Sequence, residues 1–210
     1  MDIKKNKVLY PNKQIPSILH IQESKFLMIQ GRGNPNDINS SYKDDVSKLY
    51  QVAYTIRMSY KNNYLIKGFE PFTVAPLEGY WYQEGIEGFD PLRKDLFVYK
   101  LMIPMPDFIH EKDYLWAIQF IKVKKGMDLS EVKFLIYEEG LVVQMLHIGP
   151  YDTEVQTIQQ MNEFMNQEGY EIDFSPERLH HEIYLSDPRK VSSEKLKTII
   201  RHPIKKRGNV

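Results

Sequence analysis

One glutamate lies in the middle of an apolar, β-prone run. The segment 179–185 reads Leu-His-His-Glu-Ile-Tyr-Leu, with Glu182 at its centre. A carboxylate among apolar and aromatic neighbours suits a ligand that carries or develops positive charge, because burial raises the pKa of the carboxyl and a cation lowers it again. The alternative interpretation is a solvent-facing glutamate on an edge strand.

A second glutamate, Glu78, lies in the aromatic run 77–82, which reads Leu-Glu-Gly-Tyr-Trp-Tyr. Paired carboxyls can act as acid and base when their environments separate their pKa values. They can also attract a cationic ligand, to which each aromatic face adds cation–π energy of about 0.5–2 kcal/mol. The sequence leaves both uses open, and for Glu78 local capping of a turn is the structural alternative.

Aromatic residues are abundant, with 14 Tyr, 10 Phe and 2 Trp. Tyrosine combines a flat apolar face with a polar tip, so it can line a cleft as well as a core. We predict a cleft around Glu182 that is lined by aromatic side chains. The candidates are Trp81, Tyr82, Trp116, Tyr151 and Tyr184. Strand alternation places Trp81 on the face opposite to Tyr82.

The same order of elements occurs twice along the chain. A strand at 24–30, a glycine turn, a helix opened by Ser41 and an extended segment 69–82 form the first copy. The second copy has a strand at 140–148, a glycine turn, a helix opened within 151–154 and a strand at 180–185. The final segment of each copy carries a glutamate, so Glu78 corresponds in order to Glu182.

This duplication predicts a single α+β domain over 1–210, with an N-terminal repeat at about 24–82 and a C-terminal repeat at about 132–187. Two such units would pack around a pseudo-twofold axis, with a cleft between them.

Other segments complete the prediction. We expect a strand at 96–105, a helix at 111–125 and a strand at 132–137. A last helix is predicted at 192–200, ending before Pro203, with the basic residues of the C-terminal segment forming a solvated helix face.

Composition excludes several classes of protein. Lys+Arg and Asp+Glu are both 28, and zero net charge argues against a nucleic-acid partner. The absence of cysteine excludes disulfides and thiolate chemistry. No apolar run reaches the roughly 18 residues of a membrane span. The first residues lack the apolar core of a signal peptide, so we expect a cytoplasmic location and no membrane partner.

The six histidines do not show the spacing of a helical zinc site. His147, His180 and Glu182 could in principle bind a metal across paired strands, but hydrogen-bonding histidines are the favoured interpretation. We therefore predict no metal and no cofactor, and retain His147 as a candidate ligand-binding residue.

Several segments together resemble one known family. They are Gln144-Met-Leu-His-Ile-Gly-Pro-Tyr151, His181-Glu-Ile-Tyr-Leu-Ser-Asp-Pro188, Leu196-Lys-Thr-Ile-Ile-Arg-His-Pro203 and Leu77-Glu-Gly-Tyr-Trp-Tyr82. The first three are similar to the GyrI-like small-molecule-binding proteins, and the last resembles the stand-alone bacterial branch of that family. The resemblance extends from about Phe26 to Pro203.

The resemblance implies a duplicated strand-helix-strand-strand module that holds ligand in the cleft between copies. Effector domains of multidrug-responsive transcription activators belong to this family, and the acid that contacts cationic drugs there matches Glu182. Some stand-alone members resemble hydrolases that open cyclopropane-bearing genotoxins with water. Here Tyr80 and Tyr82 flank Trp81 where that branch has Leu and Trp, so substrate preference stays open.

Three functional hypotheses follow. The first is a module that binds and sequesters small aromatic, cationic or electrophilic organic molecules. The second is an enzyme that hydrolyses an electrophilic xenobiotic with Glu182 as general base or water-orienting group. The third is a protein-binding inhibitor, which the family name suggests, although no protein partner can be named from the sequence.

Overall fold

A computed structural model describes residues 5–86 and 93–208, which form three α-helices and nine strands. In chain order these are β1 Ser17–Ile21, β2 Ser24–Arg32, α1 Tyr42–Arg57, β3 Glu78–Gln83, β4 Phe97–Met105, α2 Glu111–Lys125, β5 Lys133–Tyr137, β6 Gly140–Ile148, α3 Glu154–Gln167, β7 Tyr170–Ile172, β8 His180–Tyr184 and β9 Lys197–Lys206. The predicted spans of α2 and β6 match the observed ones. Among the described helices, none is both long and apolar enough to cross a membrane.

The strands form an antiparallel sheet in the order β1-β6-β9-β8-β3-β4-β2-β5, and β7 pairs with β9. The two halves of the sheet are β6-β9-β8 and β3-β4-β2, and they repeat the same order in opposite directions. β6 corresponds to β2, β9 to β4 and β8 to β3. The first half belongs to a β6-α3-β8-β9 module and the second to a β2-α1-β3-β4 module. The predicted α+β fold with duplicated strand-helix-strand-strand modules is therefore confirmed, and the pseudo-twofold axis passes between β3 and β8.

Two prolines support the duplication at the level of single residues. Pro104 in β4 lies opposite Phe26, and Pro203 in β9 lies opposite Val142. Phe26 and Val142 are each the third residue of their strands. Each module closes with β4 or β9, and these strands lie beyond the repeat boundaries predicted at about 82 and 187.

One face of the sheet carries the helices. Residues in register on neighbouring strands share a face, and one such row crosses both modules. The row is Ile29, Leu101, Gly79, Glu182, Ile200 and Met145. Its first two residues pack with Leu49 of α1, and its last two pack with Met161 of α3. Glu182 therefore lies in the middle of the helix-bearing face, between the parts covered by α1 and α3.

The opposite face is covered in part by the N-terminal segment. Tyr10 is buried there against Leu146, Ile183 and Ile199. The side chain of Arg201 in β9 also holds this segment, because it donates a hydrogen bond to the carbonyl oxygen of Leu9.

The prediction of a last helix at 192–200 is wrong. A short 3₁₀ turn at Ser193–Lys195 leads directly into β9. This strand lies between β6 and β8, so backbone pairing on both sides and burial of its side chains favour the extended conformation. Its Arg201 is buried and does not belong to a solvated helix face.

Candidate functional site

The carboxylate of Glu182 is held on a central strand and is only 7% exposed. Alternation along β8 brings His180, Glu182 and Tyr184 to the helix-bearing face. Across the strand pair the partner of Glu182 is Gly79, which has no side chain. A Cβ atom at Gly79 would lie 2.7 Å from Trp81 Nε1 and 2.8 Å from the hydroxyl oxygen of Tyr184. Glycine at this position therefore allows the indole and the phenol to meet beside Glu182.

Four aromatic rings surround this carboxylate. Trp81 Nε1 donates a hydrogen bond of 3.0 Å to the hydroxyl oxygen of Tyr184. Tyr42, at the start of α1, stacks on Trp81 with ring centroids 5.9 Å apart. Tyr151 meets Tyr184 edge-on, with ring centroids also 5.9 Å apart. The rings come from both modules, since Tyr42 and Trp81 belong to the first and the other two to the second.

The tyrosine hydroxyls of this site remain protonated at neutral pH. Burial and then the negative charge of Glu182 raise the pKa of Tyr151 to about 12. The same two causes, in the same order, raise the pKa values of Tyr42 and Tyr184 above the ordinary value. Because these hydroxyls keep their protons, they act as hydrogen-bond donors toward Glu182 or a bound ligand.

A second carboxyl, that of Glu154, reaches Glu182 from the first turn of α3. Glu154 is 5% exposed, and a carboxyl oxygen of Glu154 lies within 4.8 Å of one of Glu182. Its pKa is raised well above the ordinary value, first by burial and then by the charge of Glu182. The site therefore combines one acid that holds its proton with one carboxylate.

Two histidines support Glu182 from its other side. Nε2 of His180 lies 3.0 Å from Oε1 of Glu182, and Nδ1 of His180 lies 2.7 Å from Nε2 of His202. Burial, followed by the proximity of His180, holds the pKa of His202 well below its usual value. His202 is consequently a neutral partner that fixes the orientation of His180, which in turn orients the carboxylate.

Glu154, His180 and Glu182 are the described residues whose arrangement could be considered for a metal ion. Their ligating atoms lie within 4.8 Å of one another. Within this cluster, His180 already uses one ring nitrogen for Glu182, at 3.0 Å, and the other for His202, at 2.7 Å. We therefore assign no metal to the cluster.

The structure brings four of the predicted site residues together: Glu182, Trp81, Tyr151 and Tyr184. Tyr82 alternates to the opposite face and packs beside Tyr80 and Met102. Trp116 lies on α2, where it stacks on Tyr64 with ring centroids 4.2 Å apart. Neither Tyr82 nor Trp116 therefore belongs to the rings around Glu182.

His147 serves the loop that leads into α3. Its Nε2 donates to the carbonyl oxygen of Pro150 at 3.0 Å, and its Nδ1 lies 2.8 Å from the hydroxyl of Thr157. Both ring nitrogens are engaged in holding this loop, which carries Tyr151. The geometry thus gives His147 a positioning role for Tyr151 rather than a place beside Glu182.

Glu78 lies on the other face of the sheet, so the structure does not bring it together with Glu182. In register, Glu78 faces Ile183, one position away from Glu182, so its side chain lies on the opposite face. There His181 lies between two acids, with Nε2 3.2 Å from Glu78 and Nδ1 2.8 Å from Glu139. Arg201 completes this buried group at 3.3 Å from Glu139.

Opposite charges set the protonation of the Glu139 group. Burial alone would raise the pKa of Glu139, but His181 and Arg201 bring it below the ordinary value. Burial would likewise lower the pKa of His181, but Glu139 and Glu78 raise it. This group is a network of buried ion pairs that joins β3, β8 and β9 to the start of β6. It explains why Glu78 is buried without any need for a ligand.

Two surface depressions lie away from Glu182. A groove of about 490 Å³ runs between α1 and α2, and its lining includes Tyr50, Tyr54, Phe120 and Lys124. A smaller one of about 180 Å³ lies beside Tyr10 on the opposite face. Neither contains the convergent acids and rings of the Glu182 site.

Comparison with known proteins identifies the family. The model of the GyrI-like small molecule binding domain matches residues 15–205. The chain belongs to the GyrI-like family. A crystal structure of a hydrolase from Listeria innocua is 39% identical, with a TM-score of 0.87, over 98% of this chain and 100% of that chain.

A conserved protein of the same organism, described as uncharacterized, is 42% identical with a TM-score of 0.91, again over 98% of this chain and 100% of that one. The C-terminal domain of EcmrR shares the fold at 14% identity and a TM-score of 0.55, over 91% of this chain and 98% of that chain. No curated protein sequence matches the chain.

Sequence reasoning missed two members of the GyrI-like site, Tyr42 and Glu154. Both lie on the buried stripe of a helix, at the position where a core residue is expected. An acid in the first turn of a helix is ordinary, because the helix dipole favours it, so Glu154 does not stand out in the sequence. The sequence does indicate that Glu154 is buried, because it precedes Thr157 and Met161 by three and seven residues and both of these are buried. A carboxyl on an apolar stripe needs a partner, and here that partner is Glu182.

Proposed function

We propose that this GyrI-like protein binds small aromatic, cationic or electrophilic organic molecules at Glu182, between its two modules. The observation that carries the proposal is a nearly buried carboxylate surrounded by the rings of Tyr42, Trp81, Tyr151 and Tyr184. Acting in the cytoplasm, such a protein would sequester or detoxify foreign compounds.

The physical basis is the combination of charge and aromatic faces. A cation beside Glu182 gains a charge-assisted contact, which is worth about 1.5–3 kcal/mol when water is excluded. Each ring within about 6 Å of the cation adds about 0.5–2 kcal/mol, depending on its desolvation. The rings also provide apolar area for the rest of the ligand. Nucleic acid is a poor candidate because phosphates would meet a negative site.

A second candidate function is hydrolysis of a cyclopropane-bearing electrophile. The observation that favours it is the hydrolase from Listeria innocua, which resembles this chain over nearly its whole length. In this reaction water oxygen bonds to a ring carbon while the strained carbon–carbon bond breaks and its electron pair moves into the conjugated carbonyl group. Glu182 would accept the proton of the water, and a protonated tyrosine hydroxyl would donate a hydrogen bond to the carbonyl oxygen.

Calorimetry with tetraphenylphosphonium, a hydrophobic aromatic cation, tests the binding proposal. Neutral triphenylphosphine oxide of similar shape is the matched comparison. We expect saturable binding at one site with a clear preference for the cation. Equal affinity for the two compounds, or no binding of either, would contradict the proposal.

Product analysis separates binding from hydrolysis. Mass spectrometry of a cyclopropane-bearing electrophile incubated with the protein should show the addition of one water if the second candidate function is right. Recovery of unchanged compound from a saturated protein would leave only sequestration.

A further inference from the structure

The contact between Glu154 and Glu182 constrains the number of protons in the site. The carboxyl oxygens of Glu154 and Glu182 come within 4.8 Å of each other, and two buried like charges at this distance favour a state in which one carboxyl carries a proton. Both side chains are buried, at 5% and 7% exposure, so solvent screens the repulsion between two charges only weakly. Glu154 also keeps one buried oxygen, Oε1, without a hydrogen-bond partner among the described residues.

We propose that Glu154 is a second binding carboxyl, which shares one proton with Glu182 in the free protein and releases it when a cationic ligand binds. This inference rests on the proposed binding function and adds to it the residue that adjusts the charge of the site. The proton passes to the surrounding buffer, so the site has one negative charge when free and two when it holds a cation.

The surroundings favour exchange of a proton for a cation. The ionisable groups that face the pair are Lys94, Asp152, Tyr42, Tyr151, Tyr184 and His180. Lys94 is the cation that acts on Glu154, and it is already paired with Asp152 at 2.8 Å. The three tyrosines keep their protons and add no positive charge. Little positive charge is thus available to a fully ionised pair, and a ligand can provide it.

This arrangement defines the ligand class more narrowly. A hydrophobic cation stabilises the doubly ionised pair, whereas a neutral aromatic compound leaves the shared proton in place. A cation that also carries an N–H or O–H donor can reach the unpartnered Oε1 of Glu154. We therefore expect aromatic amines and amidines in their protonated forms to be the best ligands of the site.

Calorimetric titration of the wild-type protein with tetraphenylphosphonium, in buffers of different ionisation enthalpy, measures proton release directly. We expect about one proton to leave for each cation bound near neutral pH, and none with triphenylphosphine oxide. Affinity for the cation should rise by up to about tenfold per pH unit while the pair still holds its proton.

Glu154→Gln supplies the decisive variant, because its amide can donate to Glu182 as the protonated carboxyl does but has no proton to release. It should bind the cation without releasing a proton and with a flat pH profile, whereas Glu163→Gln, on the exposed side of the same helix, should behave as wild type. Cation binding by the wild type with no proton release would overturn this inference and leave the binding proposal intact. Proton release by the Glu154→Gln variant would also overturn it. Failure of the wild-type protein to bind any cation would remove both proposals.

Discussion

Replacement of Glu182 by Gln removes one charge while it preserves the size of the side chain. A cation about 5 Å from Glu182 gains about 3 kcal/mol at an effective dielectric constant of about 20. Some of this energy is offset by the water that both groups lose on binding. We expect the affinity for tetraphenylphosphonium to fall by about 1–3 kcal/mol, or roughly 5- to 150-fold in Kd.

Neutral aromatic ligands should be affected little, because the four rings around residue 182 are unchanged. Calorimetry with tetraphenylphosphonium and triphenylphosphine oxide measures the two affinities side by side, with Glu163→Gln as a control for a surface charge. The double variant Glu154→Gln/Glu182→Gln should bind the cation more weakly still, because Glu154 can ionise once Glu182 is neutral. Unchanged cation affinity in the double variant would refute the reasoning that this carboxyl pair attracts the ligand.

Three further perturbations test other parts of the structure. Gly79→Ala places a methyl group 2.7 Å from Trp81 Nε1. We therefore expect a loss of about 1–3 kcal/mol in unfolding free energy and weaker ligand binding. Unchanged stability and unchanged binding would contradict this expectation. Glu139→Gln leaves buried positive charge unpaired and should lower the unfolding free energy at neutral pH by about 3–5 kcal/mol, as measured in urea. In the wild type, the pKa of Glu139 is lowered, so its contribution to the free energy of unfolding should be lost as pH falls below about 4.3. The pKa of His181 is raised, so its contribution should be lost as pH rises above about 6.5. An unfolding free energy that does not change with pH would argue against this network. If the protein is a hydrolase, Glu182→Gln should reduce turnover of a cyclopropane-bearing electrophile by about 10²–10⁴-fold, and full turnover would exclude Glu182 as the base.

Much of the fold could be predicted because hydrophobic periodicity is strong in this chain. The helix at Glu111–Lys125 and the strand at Gly140–Ile148 have the predicted bounds. β9 was not predicted, because its segment was assigned to a helix that ends before Pro203. The pairing of β8 with β9 ends at Arg201, so β8 makes no ladder bond to Pro203 on the side away from β6. On that side its carbonyl oxygen accepts from the backbone of Asp173 at 2.9 Å.

The site could be predicted only in part, because sequence order does not fix the face on which a side chain lies. Glu78 and Glu182 occupy similar places in the two copies, but a shift of one position in register puts them on opposite faces. Periodicity likewise could not show which aromatic residues of the helices approach the acid. Tyr42 does so from the start of α1, whereas Trp116 packs against Tyr64 elsewhere.

The central claim, that ligands bind at Glu182 between the two modules, is tested most directly by a crystal structure of the protein with tetraphenylphosphonium. We predict the phosphonium centre beside the carboxylate of Glu182, with phenyl groups against Trp81 and the surrounding tyrosines and with at least one protein ring within about 6 Å of the cation. A cation bound only in the groove between α1 and α2, with no ligand at Glu182, would contradict the account.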